Sequence, residues 1–324
     1  MYNAYNSGAD IALLKKSLDE SGFSSLYNDR VIDQMLIELV DFQNPLRMLM
    51  RRTPGAGEGH LVRKRTPGTT AGTDVNDTDS FVEETGTYSE EFFAFKTLGT
   101  QGKVTRRVQK TGRLIEDLLS EEMEAKAREI RDLEEYRILW GQTPDGNAKQ
   151  IKGLNAHMND LPTQIVALTL TNGDGAPLTL AKFDQVMDKV ITGMPGVIIV
   201  SRAGKRKINA LLQATQRFND KTEVPGGYRV LSYNDTPILV STNIPDTLQI
   251  SSGGTITSMT GGSTTAMFVV DLAHVFMSVL TELTVMPLAR TSSQFQNFDI
   301  FEDIAQVVRD KRAVSMVTGW AAQT

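Results

Sequence analysis

Seven carboxylates fall between Asp74 and Glu91 (Asp74, Asp77, Asp79, Glu83, Glu84, Glu90 and Glu91), with no Lys or Arg among them. A run of this kind repels itself unless it meets cations, a metal or solvent. Calcium is the first chemistry to test. DVNDTDS at 74–80 sets Asp74, Asn76 and Thr78 at calcium-loop spacing, but Asp79 stands where the loop needs Gly and Thr85 where it needs a bidentate Glu. The cations are close in sequence instead: Arg63, Lys64 and Arg65 precede the run, and Lys103, Arg106, Arg107, Lys110 and Arg113 follow it. The pattern is that of an acidic tip on a basic base.

Catalytic chemistry has little to work with. The chain has no Cys, which excludes thiolate nucleophiles, thiolate metal sites and disulfides. His60, His157 and His274 stand singly, without HExxH spacing. No Walker A loop or GxSxG elbow occurs. GAGEGH at 55–60 has His where a dinucleotide fingerprint needs its third Gly, and it reads as a hinge. No metal, cofactor or catalytic residue is therefore expected.

The elements that must position these charges follow from periodicity. LIEDLLSEEMEAKAREIRDLEEYRILW, 114–140, has no Gly or Pro inside it and Gly on either side. Ile115, Leu119, Met123, Ala127, Ile130, Leu133, Tyr136 and Trp140 recur at steps of three and four, so they share one apolar stripe. Glu122 with Lys126 and Glu124 with Arg128 sit four apart, acid first, as helices favour. At ~1.5 Å per residue the helix spans about 40 Å. With one apolar stripe it should lie along a sheet or surface, not run as a buried rod.

Before the helix, residues 51–103 are rich in Gly and Thr, and two strand-like runs, His60–Thr66 and Tyr88–Thr97, bracket a polar tip. They predict a long hairpin. Phe92, Phe93 and Phe95 place aromatics on both its faces, which requires a cover, since an isolated hairpin is marginal in water. Residues 1–50 predict a helical arm, with Asp10 and Asn28 or Asp29 as caps and Pro45 ending the run. The arm could lie on its own core or on a neighbour.

After the helix, Thr179 caps LAKFDQVMDKVIT, with Phe183, Val186, Met187 and Val190 as its core face. VIIV at 197–200, a helix from Ala203 to Phe218, strands at Tyr228–Leu231 and Pro237–Ser241, a Ser/Gly/Thr loop at 249–264 and a strand at Ala266–Asp271 make a compact α/β subdomain, 179–275. Extended runs at Leu283–Leu288, Phe295–Phe301 or beyond, Ala305–Lys311 and Arg312–Thr318 follow, and are expected to form the sheet under the long helix. The fold class is α+β.

Composition narrows the function. Thirty-four basic against 39 acidic residues leave a net charge of −5, which weighs against a dedicated nucleic-acid binder. No apolar run approaches the length of a membrane-spanning helix, and no signal peptide is evident at the start.

The order of parts resembles the major capsid protein of tailed bacteriophages. The hairpin exit YSEEFFAFKTLGTQGKVTRRV leading into the long helix, and the tail VVDLAHVF...RDKRAVSMVTGW, carry the likeness. It implies an N-terminal arm (1–50), an E-loop (51–103), a peripheral domain (104–178) with its spine helix (114–140), an axial domain (179–275), and C-terminal strands (276–324) returning to the peripheral domain. It also implies a shell of pentamers and hexamers around DNA, assembled in the host cytoplasm, with non-specific DNA contact at most, no membrane, and portal, scaffolding or decoration proteins as further partners. The inter-subunit residues are then Arg63, Lys64, Arg65, Asp74, Asp77, Asp79, Glu83, Glu84, Phe92, Phe93 and Phe95 on the E-loop, meeting Arg106, Arg107, Lys110 and Arg113. Some family members crosslink through an E-loop Lys; none lies between Lys64 and Lys96 here, so non-covalent stabilisation is expected. An encapsulin-like nanocompartment and a soluble enzyme remain the alternatives.

Overall fold

The computed structural model describes residues 44–68, 74, 76–77, 80, 85–105, 107, 118–169, 175–214, 221–224, 228–251, 253–288 and 294–321. The predicted arm at 1–43, the first turns of the long helix and most of the hairpin tip lie outside the described residues.

A single turn of helix, α1 (Pro45–Leu49), opens the described chain. Pro45 stands in its first turn, where a residue needs no N–H and benefits from a fixed φ; the run that Pro45 is expected to end lies outside the described residues. Strands β1 (Arg52–Pro54), β2 (Gly59–Thr66), β3 (Thr87–Ala94) and β4 (Lys96–Thr105) follow, then the long helix α2 (Leu118–Trp140). After it come α3 (Leu154–Asp160), β5 (Ile165–Ala167), α4 (Leu180–Asp188), β6 (Val197–Val200) and α5 (Arg202–Ala214). The chain then runs through β7 (Lys221–Val224), β8 (Tyr228–Tyr233), β9 (Thr236–Val240), β10 (Gln249–Ile250), β11 (Ile256–Ser258) and β12 (Thr264–Val270). It closes with β13 (Val275–Pro287), β14 (Phe295–Val308) and β15 (Val314–Ala321).

Two large sheets organise these elements. The seven-stranded sheet has the order β5-β15-β12-β6-β9-β8-β7. Its central strands, VIIV and TTAMFVV, are buried on both faces, as unbroken apolar runs require. The predicted core face of α4 is buried at Phe183, Val186, Met187 and Val190, and Thr179 Oγ1 caps the helix by accepting the Lys182 N–H. Asn234 and Asp235, both at positive φ (46° and 63°), turn β8 into β9; a two-residue turn with both φ positive matches strand twist.

The four-stranded sheet has the order β1-β13-β14-β4, and α2 lies across it. Leu119, Met123, Ala127 and Ile130 pack on Val104 of β4 and Phe298 and Ile300 of β14. Gly102 leaves room there for Phe298, whose ring a Cβ would meet at 2.0 Å.

The structure corrects the expected layout in three places. The predicted strand Tyr88–Thr97 breaks at Phe95: β3 stays in the hairpin, while β4 leaves to pair with β14. The runs expected separately at Phe295–Phe301 or beyond and at Ala305–Lys311 are one strand, because β14 runs unbroken for 14 residues between β13 and β4. The last strand, β15, belongs to the seven-stranded sheet, between β5 and β12, and not to the sheet beneath the helix. Its burial on every residue from Val314 to Trp320 fits a central strand.

Candidate assembly surface

The hairpin β2–β3 pairs Gly59 with Ala94 and Thr66 with Thr87. Alternation gives it two faces. On the outer face Leu61 lies opposite Phe92, Arg63 Nε donates to Glu90 Oε1 at 3.0 Å, and the Arg65 guanidinium sits 5.9 Å from the Tyr88 ring centroid. Leu61, Phe92 and Tyr88 are exposed by 45%, 55% and 76%, so none of the described residues covers that face.

The inner face is finished within the chain. Phe93 is buried with Phe276, Ala305 and Val307, Phe95 packs beside them, and His60 meets Phe276 edge-on at 5.4 Å. Only Phe92 of the three phenylalanines thus remains open to a partner. Below them Lys64 bonds Glu91, Lys311 Nζ lies 3.5 Å from Glu91 and 2.7 Å from Asp160, and Lys152 also bonds Asp160. Burial alone would raise the Glu91 carboxyl; Lys64 and Lys311 hold it below its ordinary value.

These pairs correct the expected electrostatics. Glu90 and Glu91 are answered within the same hairpin, by Arg63 and Lys64. Five acids of the run remain to be placed. Of those, Asp74 and Asp77 are exposed, while Asp79, Glu83 and Glu84 lie outside the described residues. Of the predicted basic partners, Arg107 is exposed, and Arg106, Lys110 and Arg113 also lie outside the described residues.

The far end of α2 is where the sequence reading falls short. Glu134, Glu135, Ile138, Leu139 and Trp140 are all buried, so the last turns are enclosed, unlike the first. Glu134 bonds both Arg47 and Arg52, the latter at 2.6 Å, and Arg52 also reaches Glu302 at 3.3 Å and Glu282 at 3.2 Å. Glu135 accepts the Leu46 and Arg47 N–H groups at 3.3 and 2.7 Å and the Ser241 hydroxyl at 3.3 Å. Burial raises Glu135 to about 7 despite those donors. Burial, then repulsion from Glu134, raises Glu302 to about 7 against the pull of Arg52 and Arg47. The cluster joins α1, α2, β1 and β14, fixing the hairpin's root to the long helix. A signal for it existed: Ile130, Glu134 and Ile138 are spaced by four, an acid at an apolar-stripe position.

Catalytic geometry is not visible among the described residues. Among those residues no group of three His, Asp or Glu could hold a metal. His274 Nδ1 is 2.7 Å from Asp271, in a turn. His157 is buried, without a hydrogen-bond partner, and lies 5.9 Å from Phe93; burial, then nearby Lys152, lowers it to about 3, so it stays neutral.

Comparison with solved structures places this architecture. The holo-SrpI encapsulin complex of Synechococcus elongatus PCC 7942 superimposes with a TM-score of 0.66 at 11% identity, over 94% of this chain and 96% of the other. A chain of Mycobacterium phage Bobi gives 0.65 at 14% identity, over 92% and 97%. The capsid of the native GTA particle gives 0.62 at 14%, over 98% and 100%. At such identities the likeness is one of fold. No curated protein matches in sequence. The profile of the SU10 major capsid protein family, however, matches residues 96–321, from the first residue of β4 to the last of β15. The chain belongs to the SU10 major capsid protein family.

Proposed function

We propose that this chain builds the icosahedral shell of a tailed DNA phage, as pentamers and hexamers held without covalent crosslinks. The observation that carries the reading, beyond family membership, is the outer face of the hairpin. A rooted, two-stranded projection with exposed Leu61, Tyr88 and Phe92 is a surface for a neighbouring copy to cover. Closed rings bring such a surface of every copy against the same patch of the next. The E-loop (51–103), spine helix (114–140) and axial domain (179–275) keep the roles the resemblance implies, of the terminal strands (276–324) β13 and β14 return to the sheet under the spine helix while β15 joins the seven-stranded sheet, and the arm (1–50) joins the interlock. The role is structural and the protein resides in the virion, with assembly in the host cytoplasm. Portal, scaffolding and decoration proteins are its further partners, and DNA is contacted non-specifically. A cargo-holding shell shares the fold; the capsid family match favours the phage reading.

Electron microscopy of the expressed protein tests this. Rings or closed particles are expected, and a chain that stays monomeric at high concentration under all assembly conditions would refute it. Within that test, Glu83→Lys with Glu84→Lys should leave circular dichroism unchanged and reduce particle yield.

A further inference from the structure

We propose that a basic groove at the root of the hairpin receives the acidic tip of a second copy's hairpin; this rests on the shell reading above. Two adjoining hollows of about 300 and 200 Å³ meet at Lys96, Gln150 and Ile151. Their charged lining is Lys96, Arg137, Lys149 and Lys152 against one acid, Glu91. Glu91 is already held by Lys64 and Lys311, and Lys152 by Asp160. Among the described residues, no ion pair involves Lys96, Arg137 or Lys149, and Arg137 rests over the Tyr136 ring, 5.4 Å from its centroid. The groove therefore keeps three uncompensated cations.

The tip has the opposite deficit. Besides Glu90 and Glu91, which pair with Arg63 and Lys64, its sequence holds Asp74, Asp77, Asp79, Glu83 and Glu84, with no Lys or Arg from Pro67 to Phe95. From Glu91 at the groove's rim, β3 carries the start of the tip at Thr87 about 13 Å away from the groove of its own copy. An interlocking neighbour supplies the acid that the groove lacks. Three cations facing five acids also steer the approach and set the register of two copies.

The test uses the wild-type chain. Shells are assembled from equal amounts of ¹⁴N- and ¹⁵N-labelled protein and treated with a water-soluble carbodiimide. The reagent activates a carboxylate, a touching Lys amine displaces it to form an amide, and a urea leaves. Peptide mapping should find the 74–84 segment joined to Lys96 or Lys149, with half of the linked pairs of mixed isotope. The Lys64–Glu91 and Lys311–Asp160 links are the internal controls. Controls without tip-to-groove links, or such links only between peptides of one isotope, would overturn the proposal while leaving the shell reading intact. So would groove lysines that are unlinked in empty particles and shielded only when DNA is packaged, which would make nucleic acid the occupant. A chain that forms no rings or shells refutes both. As a second measurement, Lys96→Glu with Lys149→Glu should keep the circular dichroism spectrum and lower shell yield at least tenfold, and Asp74→Lys with Asp77→Lys should restore part of it. Unchanged yield in the first variant would overturn the assignment.

Discussion

The seven-stranded sheet and the hairpin-and-spine region solve opposite problems. In the first, β6, β12 and β15 are dry on both faces, and Phe183, Phe268 and Trp320 are fully buried. Its apolar area is removed from water within one copy, worth roughly 25 cal/mol per Å². In the second, carboxylates occupy the interior (Glu134, Glu135, Glu302) and aromatics occupy the surface (Tyr88, Phe92). A region that keeps charge inside and apolar area outside gives up monomer stability, as the proposed shell role would allow. The comparison separates residues that make the subunit from residues proposed to join subunits.

The largest effect should come from the dry sheet. Phe268→Ala removes a fully buried ring packed at 5.2 Å from Trp140, and should cost about 3–5 kcal/mol. Chemical denaturation of the variant is expected to show that loss or an insoluble chain; a cost below about 1 kcal/mol would break the contrast. Next is Ala127→Pro, mid-helix and packed toward the four-stranded sheet, which loses a helix bond and forces a kink at about 3 kcal/mol. Unassembled or insoluble protein is expected, and normal particles would mean that α2 is not a central support.

The charged cluster should show itself through pH. A carboxyl raised in the folded protein holds its proton more tightly there than when unfolded. Its contribution to stability is therefore full below about 4.5 and is lost as pH rises toward about 7. Glu302→Gln removes one such group, so its unfolding free energy relative to wild type, measured by chemical denaturation, should be higher at pH 8 than at pH 5, by up to about 1.4 kcal/mol per pH unit through that window. The same difference at both pH values would mean that Glu302 is not strained by burial.

Phe92→Ser should have the smallest effect on the monomer and a large one on the shell. The side chain is more than half exposed, so denaturation of the subunit should shift by less than about 0.5 kcal/mol. Particle yield should fall clearly, and an unchanged yield would remove the outer face from the interface.

Local patterns carried much of this fold. The α4 stripe, the VIIV strand, the hairpin pairing and the Asn234–Asp235 turn all follow from spacing or turn chemistry within about a dozen residues. So does Arg128 bonding Glu124, four residues back at 2.7 Å, although Lys126 turned to Glu129 and not to the expected Glu122. Of the candidate interface, the aromatic content and the charge polarity were legible. Which phenylalanine faced out was not, because Phe92 and Phe93 differ only in which side of the strand meets Phe276.

By itself, then, the sequence determined the long helix, the buried strands, the tip without cations and the absence of thiol chemistry, since each depends on residue type and near spacing. Tertiary structure alone decided that β15 joins the seven-stranded sheet, that Glu90 and Glu91 are answered by Arg63 and Lys64, and that Glu134 meets Arg52 and Glu302. These pairings span 27 residues in the hairpin and up to 250 in the buried cluster. Nothing local favours one distant partner over another until the sheets stack; then an excluded-water interior makes each unpaired charge too costly to leave.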